Sequence, residues 1–247
     1  LEQATFAGGY FDDDSAADVI ISLFEENREE PVFLYTMTMQ NHQPYYAGRY
    51  DREAVEVSSP LLSREELEGV SCYVTGLYDA DRMLGRLVDY FSQIDEPVIL
   101  VFAGDHTPSL PLGSEESLYT RLGLVPTVTS SGWSEEDYLA MMATDYMIWS
   151  NCREPEGERV SGVTTMGADL LALAGTPSTP FFAWMGQARR ESMAFHARLI
   201  TLGPDGQPVS LDAPAVRAFR NDYTDVIYDL LYGQGYIAGA LNQVGLP

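Results

Sequence analysis

Basic residues are scarce in this sequence: 14 Lys and Arg stand against 37 Asp and Glu in 247 residues, a formal net charge of −23 at pH 7. Nucleic-acid binding needs clustered Lys and Arg against the phosphate backbone, and the few present are scattered, so no nucleic-acid partner is expected. The acidic excess reads as a solvated, solubilising surface. Cysteine is scarcer still. Cys72 and Cys152 are far apart and form no CxxC, which removes a zinc ribbon or thiol-redox motif. Buried free thiols are expected, with pairing in an oxidising compartment left open. No window reaches the roughly 18 consecutive apolar residues of a membrane helix. Leu1 opens without a basic n-region or a small-residue cleavage site. With no initiator Met, the sequence is expected to be part of a longer protein, and a membrane anchor upstream is left open.

What is present is a chain 45% hydrophobic, enough for one large core with a smaller appendage. Asp14-Ser15 precedes apolar positions at Val19, Ile20, Leu23 and Phe24, a capped helix that ends near the charged run from Glu25 to Glu30. The run Val32 to Met37 is apolar and rich in strand formers. It predicts a buried strand that delivers Asn41-His42-Gln43-Pro44-Tyr45 into a loop. From about Ser63 to Ser92 the apolar positions keep helical spacing, and Pro97 then opens a second apolar run, Val98 to Phe102, followed directly by Ala103-Gly104-Asp105-His106.

Strand, helix, strand, with both strands apolar throughout, predicts a three-layer α/β/α fold on a mainly parallel sheet. Asp145 to Ser150 reads as a further strand, and Met166 to Ala174 as a helix stopped by Gly175 and Pro177. After about Gln187 the pattern changes to a hairpin, Phe195 to Leu202 and Pro208 to Leu211, and a helix from about Pro214 to Leu231. The division expected is an α/β domain over residues 1–186 and a hairpin-and-helix subdomain over 187–247.

Only three histidines occur, and two of them, His42 and His106, follow the predicted strands. Ligands collect at the carboxyl ends of strands in an open parallel sheet, so His42 and the Asp105-His106 pair are expected on one rim. Adjacent Asp and His offer a hard oxygen and an imidazole nitrogen, suited to Mn²⁺ or Zn²⁺, with the remaining ligands supplied from elsewhere. His196 falls in the hairpin and reads as structural. Asp12-Asp13-Asp14 lacks the spacing of a calcium loop and reads as a helix start. Tyr223, Tyr228, Tyr232 and Tyr236 fall near helical spacing and read as packing residues.

Thr38 to Tyr45 resembles the NHxPY/F loop of lipoteichoic acid synthase-like proteins, and Val98 to His106 resembles their strand ending in GDH. Tyr73 to Leu87 resembles the helix between them, with Asp81 a few residues after a Tyr. Tyr146 to Asn151 resembles the PxIIYSN strand, Leu170 to Gly175 the TLLxLxG helix, and Tyr223 to Tyr236 the YDxLxGxxY closing segment of related phosphoglycerol transferases. The likeness covers nearly the whole chain.

The resemblance implies the C-terminal part of a phosphoglycerol transferase of the sulfatase and alkaline phosphatase superfamily, acting on phosphatidylglycerol-like lipids at the extracellular face of a bacterial membrane. It further implies that Asp105 and His106 ligate a divalent metal, Mn²⁺ or else Mg²⁺, Ca²⁺ or Zn²⁺, while His42 and Asn41 contact substrate. The family's nucleophilic Thr and first acidic ligand lie upstream of Leu1, so these residues alone are expected to hold an incomplete site and to be inactive. Thr5 has no strand or helix start to frame it as a nucleophile. Ser109 and Thr165 depart from the family pattern. The other readings are a sulfatase or phosphodiesterase of the same superfamily, and a degenerate module that only binds.

Overall fold

Short polar side chains open the two helices that carry the core. In the computed structural model, which describes residues 5–112, 115–153, 157–158, 160–191, 194–195, 201–203 and 206–241, Asp12 is the N-cap of α1 (Asp13–Glu26) and accepts the Ser15 N–H at 2.7 Å. One orphan donor is thereby satisfied, and Asp13 and Asp14 complement the helix dipole. The acidic run is a helix start, as its composition implied, although the cap lies upstream of Asp14-Ser15. Ahead of it a hairpin, β1 (Phe6–Ala7) and β2 (Tyr10–Phe11), turns on Gly8 and Gly9 at φ 59° and 87°. Strands of two residues are too short to leave an alternation in the sequence.

The second helix, α2 (Arg64–Phe91), begins with a capping box. Ser63 Oγ accepts the Glu66 N–H, and the Glu66 carboxylate accepts the Ser63 N–H at 2.6 Å. Its Met83, Leu87 and Phe91 are buried against Ala16 and Ala17 of α1, with Phe24 edge-on to Phe91 at 5.3 Å between centroids. Leu100, Phe102 and Trp149 close on the same cluster from β3 (Ile99–Ala103) and β4 (Tyr146–Ser150).

β3 and β4 pair antiparallel, from Ile99 opposite Ser150 to Ala103 opposite Tyr146, and every ladder among the described residues is antiparallel. The mainly parallel sheet expected from the sequence is therefore not what these residues form. An apolar run reports that a strand is covered, whereas its direction depends on which segment arrives alongside. Asn151 locks the pair to the end of α2: Oδ1 accepts the Val98 N–H at 2.8 Å, and Nδ2 reaches the carbonyls of Ile94 and Glu96, both at 2.9 Å.

Residues 32–37 also depart from expectation. They belong to no ladder, and Phe33 and Tyr35 are 86% and 78% exposed. Strand-forming side chains do not make a strand unless another segment supplies the hydrogen-bonding edge.

The chain divides into two compact units, residues 1–133 with 141–155, and residues 134–140 with 156–247. In the chain α3 (Leu118–Arg121) and α4 (Glu135–Met142) come between β3 and β4, and the second unit contains α5 (Val163–Ala174), ended by Gly175 at φ 67°, and α6 (Pro180–Glu191). A three-stranded antiparallel sheet follows, of Ala194–Phe195, Thr201–Leu202 and Pro208–Val209, and then α7 (Pro214–Leu231). Met185 is fully buried, and Trp184 packs on Phe219 and Tyr223. Tyr223 is thus a packing residue. Tyr228, Tyr232 and Tyr236 instead are 61%, 76% and 83% exposed, the last two past the end of α7, and are not the packing residues their spacing suggested. His196 lies outside the described residues. Among the described residues no helix is long and apolar enough to cross a membrane.

Leu87 is 2% exposed at the α1–α2 contact. Leu87→Ala is expected to lower unfolding free energy by about 2–5 kcal/mol, read as a fall in the urea midpoint. An unchanged midpoint would remove this cluster as the core.

Candidate functional site

Asp105 and His106 are held at the end of β3 by backbone bonds to the segment entering β4. Gly104 N–H donates to Asp145 O at 3.2 Å, and Thr144 Oγ1 donates to Gly104 O at 2.7 Å. A Cβ on Gly104 would lie 3.4 Å from that of Thr144, an ordinary contact, so here glycine is not demanded by space. Asp105 Oδ1 accepts the His106 N–H at 2.9 Å, while both side chains are mostly exposed, at 79% and 66%. His106 Nδ1 lies 2.8 Å from Thr107 O, and Thr107 Oγ1 donates to Met141 O. A carbonyl can only accept, so Nδ1 carries the proton in the neutral ring and Nε2 keeps its lone pair.

His42 has the same arrangement. Its Nδ1 donates to Gln43 O at 2.8 Å, which leaves Nε2 as the free acceptor, and its ring lies 5.9 Å from that of Tyr10, whose hydroxyl is 3.5 Å from Nδ1. Next to it Asn41 turns its carboxamide into α2: Nδ2 donates to Tyr73 O at 3.2 Å, and Oδ1 is buried without a partner. A Cβ at Gly76 would come within 2.1 Å of that oxygen.

Beneath the loop Gln40, 2% exposed, joins three elements. Its Oε1 accepts the Asp13 N–H at 2.7 Å, its Nε2 donates to Asp79 of α2 at 2.8 Å, and its carbonyl accepts from Arg49 Nη2 and the Tyr50 hydroxyl at 2.7 and 2.9 Å. Arg52 pairs with the other oxygen of Asp79. Burial pushes the Tyr50 hydroxyl up to about 12, which keeps it a donor at physiological pH. Asp13 is buried with Oδ1 unpartnered, and burial, reinforced by Asp79, Asp12 and Asp14, raises its carboxyl to about 6. Behind the loop Tyr46, Arg49, Tyr50, Ser71, Cys72 and Thr75 line a cavity of about 250 Å³. Cys72 and Cys152 are both free thiols. Cys72 is buried as expected; Cys152 is exposed in the turn after β4, beyond the apolar strand that would have covered it.

The structure thus joins Asp105 to His106, and His42 to Tyr10 and Gln43; none of the hydrogen bonds or ion pairs described links the two groups. Among the described residues no three His, Cys, Asp or Glu are placed to hold a metal ion. In the sequence Asp13 reads only as part of a helix start, and Tyr10, Gln40, Arg49 and Asp79 carry no role of their own. Their roles arise from contacts between segments far apart in the chain, and the only local signal is that Gln40 directly precedes the Asn41-His42 motif.

The family model described as Sulfatase matches residues 2–176. A Rhizobium meliloti (strain 1021) protein assigned to cyclic beta-1,2-glucan modification is 26% identical over 234 residues, which cover 93% of this chain and 35% of that protein. The capsular polysaccharide biosynthesis protein RkpI of the same organism is 32% identical over 95 residues, 38% of this chain and 15% of RkpI. Among solved structures, the Streptococcus pyogenes phosphoglycerol transferase GacH in complex with sn-glycerol-1-phosphate aligns with a TM-score of 0.72 at 23% identity, over 98% of this chain and 55% of that one. The chain therefore spans about a third of the first relative and about half of that structure.

Two outcomes follow from the loop's supports. Replacing a mid-helix Gly by Ala ordinarily adds up to about 1 kcal/mol. At Gly76 the clash with Asn41 should reverse the sign, so that Gly76→Ala lowers stability by about 1–3 kcal/mol in denaturant titration. Asp13 binds its proton more tightly folded than unfolded. Its contribution is therefore complete below the ordinary value of 3.8 and lost as pH rises through about 6. Asp13→Asn should accordingly be more stable than the parent at pH 7–8, by on the order of 1–3 kcal/mol, with the difference gone near pH 4. A pH-independent difference between the two melting curves would refute it.

Proposed function

The chain belongs to the sulfatase family, and on that premise we propose that it forms the metal-binding and head-group-binding portion of a phosphoglycerol transferase. The reaction moves a glycerol phosphate group from a phosphatidylglycerol-like lipid to a cell-envelope polymer, at the outer face of a bacterial membrane. The observation that carries this reading is Asp105-His106 at the end of β3, on a fold that aligns over 98% of the chain with a transferase solved with sn-glycerol-1-phosphate. The first relative's assignment to glucan modification supports a polymeric acceptor.

Asp105 and His106 would supply a carboxylate oxygen and Nε2, which lie 3.6 Å apart and fit a divalent cation of the Mn²⁺ type as part of its ligand set. Such an ion contributes Lewis-acid stabilisation of charge on a phosphoryl oxygen. His106 Nδ1, held on Thr107 O, fixes which nitrogen faces the ion. His42 Nε2 accepts a hydrogen bond from a head-group hydroxyl in the neutral ring, and donates one to a phosphate oxygen once the ring is charged. Asn41 acts with it by fixing the base of the loop against Tyr73 of α2. No residue of this chain is assigned as nucleophile.

The family match favours a second reading, hydrolysis of sulfate or phosphate esters. In the full-length protein, release of glycerol phosphate from phosphatidylglycerol should require added Mn²⁺, stop with EDTA, and fall by at least about 10²-fold in Asp105→Ala. Turnover of aryl sulfates without glycerol phosphate release would replace the transferase by the hydrolase. Undiminished activity of Asp105→Ala would remove both.

A further inference from the structure

We infer that Arg49 is a positioning residue for His42, holding its loop with a buried guanidinium fork. Arg49 is 7% exposed, and both terminal nitrogens of its guanidinium donate to backbone carbonyls, Nη2 to Gln40 O at 2.7 Å and Nη1 to Pro44 O at 2.9 Å, while Nε is buried without a partner. Those carbonyls stand on either side of Asn41, His42 and Gln43. A single rigid group therefore sets the distance between the two ends of the segment that carries the histidine. Charge-assisted bonds from a planar fork are stronger and more directional than those of an ammonium group, so lysine is a poor substitute.

Three rings enclose the fork. The guanidinium carbon lies 5.4 Å from the centroids of Tyr10 and Tyr50 and 6.0 Å from that of Tyr45, within cation–π range. Two of these rings serve the loop a second time: the Tyr45 hydroxyl donates to Asn41 O at 2.9 Å, and the Tyr50 hydroxyl to Gln40 O. Tyr10 lies between the arginine and the site, with its ring 5.9 Å from that of His42. The β1–β2 turn closes over the remaining face. A Cβ on Gly8, which is at φ 59°, would come within 2.4 Å of Arg49 Nε, so glycine is required there both for its conformation and for its lack of a side chain.

Desolvating a guanidinium is costly, and here no ion pair offsets it; hydrogen bonds and aromatic faces do. A loop that only needed closing could be closed with an apolar side chain. A fork bonded across the Asn41–Gln43 segment instead holds the Gln43 carbonyl where His42 Nδ1 finds it, which is what leaves Nε2 free.

The inference rests on the transferase reading only for its kinetic arm. In the full-length protein labelled with ¹⁵N-histidine, with His42 assigned by loss of its signals in His42→Gln, the parent should show the pattern of a ring protonated at Nδ1. Arg49→Lys and Arg49→Gln should both shift it toward Nε2 protonation, with the signals of His106 unchanged. A parent-like His42 pattern in either folded variant overturns the inference, whether or not the protein transfers glycerol phosphate. Arg49→Lys keeps the charge and the aliphatic stem, so it remains the test if Arg49→Gln does not fold. In the kinetic arm, Arg49→Lys should lower kcat by about 10²-fold while KM changes by less than about threefold. In a His42→Gln background the same substitution should cause no further loss, because the arginine acts through the histidine. Full rescue by lysine, or equal losses in both backgrounds, would show a role in charge or general stability instead.

Discussion

A buried glutamine that bonds through its side-chain oxygen, its side-chain nitrogen and its main-chain carbonyl is the constraint on which the His42 loop depends. Gln40 Oε1 takes the first N–H of α1, its Nε2 holds Asp79 on α2, and its carbonyl receives Arg49 and Tyr50. A donor or acceptor buried at 2% exposure costs about 1–3 kcal/mol if left unmade, so none of these partners can withdraw independently. The two helices and the loop are therefore positioned as one set. The geometry of His42 inherits the rigidity of the α1–α2 core although its own ring is exposed.

The second half of the candidate site is held differently. Asp105 and His106 leave a strand whose last residues are tied, through Gly104 and Thr107, to the segment that enters β4. Asn151 at the far end of β4 fastens the same strand pair to the end of α2. Strand and helix thus support the Asp-His pair from both ends, while its side chains stay open to a ligand. One device recurs at both places: each histidine has Nδ1 on the carbonyl of the residue that follows it, which leaves Nε2 to face away from the backbone, at His106 3.6 Å from Asp105 Oδ2.

Buried charge in this unit is handled without close compensation at two points. Asp13 carries an unpartnered oxygen and titrates near 6, and Arg49 is buried among carbonyls and tyrosine rings. Both lie on the Gln40 set, Asp13 through its backbone N–H and Arg49 through its guanidinium, so only at Arg49 would an apolar side chain give up a bond that fixes the loop. Stability given up for a fixed geometry is common around functional sites.

By itself the sequence determined whatever is encoded locally. Helical spacing and capping residues placed α2 between Ser63 and Ser92, Gly175 ended α5, Pro214 opened α7, and the motifs around His42 and Asp105-His106 pointed to the family, because periodicity, caps and short motifs are properties of neighbours in the chain. The tertiary structure alone decided strand direction, the failure of residues 32–37 to enter a ladder, and the ring of Tyr10, Asp13, Gln40, Arg49 and Asp79 around the His42 loop. Each of these depends on which distant segment supplies a hydrogen-bonding edge, a carbonyl or an aromatic face. A hexapeptide of strand formers carries its propensity wherever it lies, whereas the partner that would make it a strand, like the arginine that orders a histidine seven residues before it, is fixed only by packing.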